Sequence, residues 1–209
     1  MRKCTLVAVP PRAVLLAGPS GSGKSTLAAR LGWPVLRLDD FYREGDDPLL
    51  PRDAHGRADW DAEGSWNDDD ALEAVVTLAR TGSVDAPVYA LGEDRRVGAQ
   101  TVSLGDAPAF IAEGLFADLL VGRARETGVL KDAIVLAPSA PVTFLRRFFR
   151  DVSEARKPVP VLLSRGWRLM REQPGVVRRC EAAGMRRLTP ARAREELAKS
   201  VHTADNAPV

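Results

Sequence analysis

The stretch AVLLAGPSGSGKSTLAARL, residues 13–31, decides the fold of this 209-residue chain. Its first five residues, 13–17, form an apolar run without alternation, which is typical of a parallel strand buried on both faces. Residues 26–31 are helix formers whose leucines share one helical face. Between them, Gly18 to Ser25 match the pattern G-x-x-x-x-G-K-[S/T] at every fixed position. The sequence therefore predicts a strand, a phosphate-binding loop and a helix in direct succession.

The residue types of this loop suit a nucleoside triphosphate. Glycines let the backbone turn close to the phosphates, and the start of the following helix offers unpaired N–H groups and a positive dipole end. Lys24 is expected to reach the β- and γ-phosphates, and the Ser25 hydroxyl is expected to bind Mg²⁺. The phosphate loop, residues 18–26, would bind the nucleotide through Gly18, Ser20, Gly21, Ser22, Gly23, Lys24, Ser25 and Thr26.

The composition is that of an ordinary globular protein, with 45% hydrophobic and 28% charged residues. The length favours a single domain over residues 1–209. A net charge of +2 without a basic block argues against a nucleic-acid partner. No run approaches the roughly 20 apolar residues of a membrane span, and the first residues lack a secretory signal. The two cysteines, Cys4 and Cys180, do not have the spacing of a metal site. We therefore expect a cytoplasmic protein that binds neither nucleic acid nor membranes.

Strand-like and helix-like segments alternate along the chain, which predicts a three-layer α/β/α fold with a parallel sheet. After the first strand and helix, the predicted strands are residues 33–38, 109–112 and 133–137. The predicted helices are residues 69–80, 116–127 and 141–156. Residues 84–104 are predicted to form a small β-hairpin insertion. Farther on, we expect helices at 161–171 and 176–183 separated by Pro174-Gly175, a last helix with Thr189 as N-cap and Pro190 at its first position, and a flexible tail at 202–209.

Carboxylates follow two of the predicted strands. Asp39 and Asp40 come at the end of the second strand, and Glu113 follows the strand at 109–112. In open α/β sheets, ligands bind at the carboxyl ends of the strands, so these side chains are expected near the phosphate loop. The loop at 43–70 is longer than a connection requires, and long loops at that edge are usually functional.

Motifs of other phosphate-loop classes are absent from the sequence. It has no Asn-Lys-x-Asp motif for reading guanine and no Leu-Ser-Gly-Gly-Gln-like transporter signature, and it is short for a helicase core. A small kinase remains, in which catalysis consists of positioning, charge neutralisation and one base for the acceptor hydroxyl. The alternative from another class is a regulatory protein that uses the loop as a nucleotide-dependent switch.

Six segments carry a resemblance to a known family. They are Gly18–Ser25, Leu38-Asp39-Asp40-Phe41-Tyr42, Asp59-Trp60-Asp61, Pro87-Val88-Tyr89, Ile111-Ala112-Glu113-Gly114 and Arg146-Arg147-Phe148-Phe149-Arg150-Asp151. In this order they resemble the uridine kinase family of phosphate-loop nucleoside kinases. The Asp-x-Phe-Tyr element is the most specific of the six, because general phosphate-loop proteins do not share it.

The resemblance implies roles for residues beyond the phosphate loop. Asp39 resembles the general base on the acceptor 5′-hydroxyl, since a carboxylate near Lys24 and Mg²⁺ stays ionised yet can accept a proton. The implied catalytic residues are Lys24, Asp39 and Arg150, and Arg150 would also bind ATP from a helical lid at about 146–160. The acceptor would bind within about 39–104 through Tyr42, Asp61 and Tyr89, together with Arg147 of the lid. The metal ion would be bound by Ser25 and Glu113. Each of these residues also has a purely structural alternative. Asp39 or Glu113 could cap a helix or turn, and Asp61 could be a solvated acid of the loop. The tyrosines could pack in the core, and the arginines could lie on a solvated helix face.

The sequence departs from the family pattern at two places. The base-reading histidine expected after Tyr89 is missing, and the lid pattern Glu-Arg-Gly-Arg is replaced by Glu154-Ala155-Arg156-Lys157. We expect ATP or GTP as phosphate donor, Mg²⁺ as cofactor and a small-molecule acceptor, with uridine or cytidine leading. Pantothenate, nicotinamide riboside or a sugar is the alternative acceptor, and a homo-oligomer is left open.

Overall fold

The computed structural model describes residues 12–19, 21–138 and 173–204. In chain order the elements are β1 (Ala13–Ala17), α1 (Lys24–Leu31), β2 (Val35–Arg37), α2 (Asp68–Thr81), β3 (Ser83–Ala90), β4 (Arg95–Ser103), β5 (Phe110–Glu113), α3 (Val121–Glu126), β6 (Leu130–Leu136), α4 (residues 173–182), β7 (Arg186–Leu188) and α5 (Pro190–Ala204).

The central sheet has five parallel strands in the order β2-β5-β1-β6-β7. All five residues of β1 are buried, because neighbouring strands flank it and helices cover both faces. At the carboxyl end of the sheet, Leu16 pairs with Glu113 on β5 and with Ile134 on β6. This register brings the end of β5 beside the loop that follows β1.

Two apolar clusters cover the two faces of the sheet. On one face, Leu15 and its neighbours pack with α2, α3 and α4; on the other, Leu16 packs with Leu27 of α1 and Leu197 of α5. Each large side chain that is fully buried contributes roughly 1.5–3 kcal/mol relative to exposure. The predicted three-layer α/β/α fold is confirmed.

Several predicted elements agree with the structure to within a few residues. Strand β1 has the predicted bounds, and β3 pairs antiparallel with β4 as the predicted hairpin. Helix α2 follows the N-cap Asn67 and ends at Gly82, whose φ of 81° is favourable only for glycine. The hydroxyl of Thr189 accepts a hydrogen bond from the Arg192 N–H at 3.4 Å, so the predicted cap of the last helix is confirmed.

Other boundaries were predicted wrongly. Strand β2 ends at Arg37 because the chain turns into a 3-10 helix at Leu38–Phe41, and the predicted helix 116–127 starts as a 3-10 helix at Ala117–Leu120. The predicted break at Pro174-Gly175 is wrong, since both residues are helical in α4. Strand β7 was not predicted.

Part of the prediction lies outside the described residues. This holds for the helices at 141–156 and 161–171, for the helical lid, and for the end of the tail after Ala204; residues 202–204 belong to α5. Across the described ranges, every helix is too short or too polar to cross a bilayer.

Candidate active site

The loop between β1 and α1 has the backbone shape that its glycines allow. Gly18, Gly21 and Gly23 have φ angles of 144°, 82° and 96°, which residues with a side chain rarely adopt. A Cβ on Gly18 would lie 2.7 Å from the Leu136 carbonyl oxygen. Gly23 is the N-cap of α1 and provides no side-chain cap, so the first amides of the helix are left for an anion.

Lys24 folds back across this loop. Its Nζ donates a hydrogen bond to the Gly18 carbonyl at 2.8 Å, which holds the ammonium over the glycine-rich backbone. A polyphosphate bound by the loop amides would therefore meet a positive charge already in place. Of the predicted nucleotide-binding residues, Ser20 lies outside the described ranges, and Thr26 lines the same cleft as Lys24.

Ser25 and Glu113 form a pair of oxygen ligands beside the loop. The Ser25 hydroxyl donates a hydrogen bond to Glu113 Oε1 at 3.1 Å. Glu113 Oε2 is buried and accepts no hydrogen bond from the described residues, which costs free energy unless a cation or another donor binds it. A hydroxyl and a carboxylate fit Mg²⁺, which takes oxygen ligands and is usually bound by one or two carboxylates together with substrate phosphates.

Asp39 lies in the 3-10 helix after β2 and faces this cleft. Its Oδ1 accepts a hydrogen bond from the Leu115 N–H at 2.9 Å. The carboxylate comes this close because residue 114 is glycine: a Cβ there would lie 2.9 Å from Asp39 Oδ1 and 2.7 Å from Leu38 Cβ. Asp39 lines one cleft with Lys24, so the structure brings the predicted base and the phosphate loop together.

Asp40, the neighbouring carboxylate, is buried and points elsewhere. Its Oδ1 accepts a hydrogen bond from the Tyr89 N–H at 3.4 Å, and Arg37 Nε lies 3.5 Å from Oδ2 without forming a hydrogen bond. Burial raises the pKa of Asp40, and the charge of Arg37 offsets part of that rise. Asp40 therefore connects the 3-10 helix to the hairpin instead of facing the cleft.

Tyr42, which follows the 3-10 helix that carries Asp39, belongs to a group of packed aromatic rings. Tyr42 lines the cleft and packs edge-on against Trp60 and Phe116, with ring centroids 5.9 Å and 6.1 Å away. Burial raises the pKa of Tyr42, and the charges of Asp39 and Asp61 raise it further. The Tyr42 hydroxyl is therefore affected by the charges of both carboxylates that the resemblance relates to the acceptor.

The other predicted acceptor residues are placed differently. Tyr89 is buried outside the cleft lining, and its hydroxyl donates a hydrogen bond to the Arg43 carbonyl at 2.8 Å. Burial raises the pKa of Tyr89 to about 12. Its ring lies 6.0 Å from that of Tyr42, which it supports. Asp61 is exposed in the loop between β2 and α2. Arg147 and Arg150 lie outside the described residues.

Sequence reasoning missed one pair next to the site. Arg179 Nε and Nη2 donate to the two oxygens of Asp118 at 2.7 Å and 3.1 Å, and Nη2 also donates to the Leu115 carbonyl at 3.2 Å. The guanidinium lies 5.6 Å above the Phe116 ring. The partners are 61 residues apart, so no local pattern could have indicated the pair.

The sequence matches a family model and a known protein. The model of the phosphoribulokinase/uridine kinase family matches residues 14–157. Uridine kinase of Saccharomyces cerevisiae is 30% identical over 154 residues, which cover 68% of this chain and 29% of the yeast protein. The chain thus corresponds to under a third of that relative's length.

A solved structure with a TM-score above 0.5 has the same fold. A putative fructose transport system kinase from Silicibacter sp. TM1040 superposes with a TM-score of 0.56 at 20% identity, over 87% of this chain and 88% of that one. A possible uridine kinase from Bacillus stearothermophilus has a TM-score of 0.47 at 21% identity, over 69% of this chain and 80% of that one.

Proposed function

The chain belongs to the phosphoribulokinase/uridine kinase family, and on that premise we propose that it is a kinase that transfers the γ-phosphate of ATP to a hydroxyl group of a small molecule with the help of Mg²⁺. The observation that carries the proposal is one shared cleft, which is lined by Lys24, Ser25, Glu113 and Asp39. A nucleotide switch needs the phosphate loop and a metal-binding carboxylate, but it needs no further carboxylate to act as base on an alcohol.

Each of these residues has a distinct task in the transfer. The amides at the start of α1 and Lys24 would bind the phosphates and stabilise negative charge in the transition state. Ser25 and Glu113 would hold Mg²⁺, which neutralises phosphate charge when it is bound.

Asp39 would act on the acceptor. The Leu115 N–H binds Oδ1, and Oδ2 would accept the hydrogen bond of the acceptor hydroxyl. As the acceptor oxygen bonds to the γ-phosphorus, the bond from phosphorus to the bridging oxygen breaks, ADP leaves, and the hydroxyl proton passes to Asp39.

We propose uridine or cytidine as the leading acceptor, phosphorylated at the 5′-hydroxyl. A vicinal diol suits a carboxylate such as Asp61, and the charges of Asp61 and Asp39 both act on the Tyr42 hydroxyl. The missing histidine after Tyr89 favours a second candidate, another hydroxylated metabolite such as pantothenate, nicotinamide riboside or a sugar, because a pocket that lacks one hydrogen-bonding group selects differently.

The test is the release of ADP from ATP, and separately of GDP from GTP, in the presence of Mg²⁺ and each acceptor in turn, with the product identified by mass spectrometry. An acceptor-dependent rise with uridine or cytidine supports the proposal in full, and a rise with another compound corrects the acceptor alone. Equal slow hydrolysis with every compound contradicts the kinase and supports the switch. Asp39→Asn should slow transfer by about 10² to 10⁴, whereas Asp46→Asn, an exposed carboxylate of the same loop region, should leave it unchanged.

A further inference from the structure

The turn after β5 supports the acceptor side of the cleft with consecutive residues. Gly114 leaves room for the Asp39 carboxylate, and the Leu115 N–H binds it. Phe116 is 1% exposed and packs against Tyr42. A displacement of this turn would therefore move Asp39 and Tyr42 together.

One side chain from a distant part of the sequence fixes this turn. Arg179 of α4 donates a hydrogen bond to the Leu115 carbonyl, while the Leu115 N–H donates one to Asp39. Both main-chain polar groups of Leu115 are therefore bound, one by Arg179 and one by Asp39. Asp118, whose side chain is 1% exposed, holds the guanidinium with both oxygens. The rigid fork of an arginine can make these bonds at the same time, which a lysine cannot.

We propose that Arg179 is a positioning residue for Asp39 and acts through the main chain of Leu115. This inference rests on the proposed function, in which Asp39 is the general base. Arg179 itself is not among the described residues that line the cleft, so it would act on the transfer only through the turn. Its effect should therefore appear in the transfer step, since an error of about 1 Å in the position of a reacting group can cost on the order of 10²-fold in rate.

Arg186 provides a matched control. It also makes three charged hydrogen bonds, two to Asp132 and one to Glu196, but it lies on strand β7 at the edge of the sheet. Arg179→Lys and Arg186→Lys thus remove equivalent forks while keeping the charge. Loss of stability alone would affect both variants, whereas loss of positioning would affect only the first.

The experiment measures kcat and KM for both lysine variants, each with and without Asp39→Asn, on the acceptor that gives turnover. We expect Arg179→Lys to lower kcat about tenfold to a hundredfold with an unchanged KM for ATP, and Arg186→Lys to change kcat less than about twofold. In the Asp39→Asn background, Arg179→Lys should cost less than about twofold, because its effect passes through Asp39.

The outcomes separate this inference from the proposed function. An unchanged kcat in Asp39→Asn overturns the base assignment and with it the positioning role. A slow Asp39→Asn enzyme in which Arg179→Lys has its full effect overturns the positioning role alone.

If Arg179→Lys does not fold, Asp118→Asn tests the same link, because it loosens the guanidinium without removing it. A folded Asp118→Asn with wild-type kcat contradicts the proposal. Amide hydrogen exchange gives a readout without turnover: the Leu115 N–H should exchange about tenfold faster in Asp118→Asn than in Arg186→Lys, and equal rates count against the link.

Discussion

Lys24 is held in place before any nucleotide binds, because its ammonium is bound to the Gly18 carbonyl of its own loop. A phosphate that enters the loop replaces a neutral acceptor with a charged one, so the bond from the ammonium gains the attraction between opposite charges. The sequence motif predicts which residue carries the charge, and the structure adds where that charge rests in the free protein.

Lys24→Ala should reduce acceptor-dependent turnover to the background of the assay, because the phosphates lose their only point charge from the loop. Coupled ADP release measures it, and Lys131→Ala on β6 serves as the control with the same change of charge. Normal turnover by Lys24→Ala would contradict the role of the loop.

Glu113→Gln should raise the Mg²⁺ concentration for half-maximal turnover by about ten- to a hundredfold, since the amide keeps the shape but removes the charge next to Ser25. A Mg²⁺ titration at saturating ATP measures the change. Glu126→Gln in α3, an exposed carboxylate, should not shift the curve. An unshifted curve for Glu113→Gln would remove this residue from the metal site.

At the scale of elements, the loop between β2 and α2 is attached to the 3-10 helix that carries Asp39. The indole N–H of Trp66 donates to the Leu38 carbonyl at 2.7 Å, and this hydrogen bond is buried. A mostly irregular segment thus has a fixed position relative to the predicted base.

Trp66→Phe should lower the free energy of unfolding by about 1–3 kcal/mol more than Trp33→Phe, because it leaves a buried carbonyl without its donor. Trp33 is similarly buried in the other core cluster, so the control removes the same atoms without breaking a hydrogen bond found in the described residues. Urea denaturation measures both. Equal losses would show that the indole contributes by packing alone.

Elements differ in how well their sequence predicts them. Strand β1 was predicted to the residue, because burial on both faces leaves a continuous apolar run. Strand β7, Arg186-Arg187-Leu188, was missed since an edge strand of three residues can be polar. The phosphate loop follows from spacing alone, whereas the support of Asp39 by Leu115 and Arg179 depends on contacts 76 and 64 residues apart in sequence.

At the scale of the whole molecule, Cys180 offers a probe of global opening. It is fully buried in α4, and burial raises the pKa of its thiol to about 12, with the charge of Asp118 adding to the rise. Because the thiolate is the reactive form, native Cys180 should react only when the surrounding core opens.

In a Cys4→Ser variant, alkylation of Cys180 should therefore be slow in the native protein and complete in denaturant. ATP with Mg²⁺ at about 100 times its dissociation constant should slow the reaction about a hundredfold, because the ligand stabilises the folded state by about 2.7 kcal/mol. The same ligand should have no effect in a Lys24→Ala background. Fast labelling of native protein without ligand would show that α4 opens locally.

The sheet order also governs how the chain folds during synthesis. Strand β6 pairs with β1 on one side and with β7 on the other, and β7 is synthesised about 50 residues after β6. A nascent chain that ends between β6 and β7 lacks the strand that pairs with this edge of β6 in the described sheet, and an unpaired strand edge can pair with another polypeptide. Slow translation of the stretch between β6 and β7 should therefore increase demand for chaperones, and truncations upstream of β7 should accumulate as aggregates.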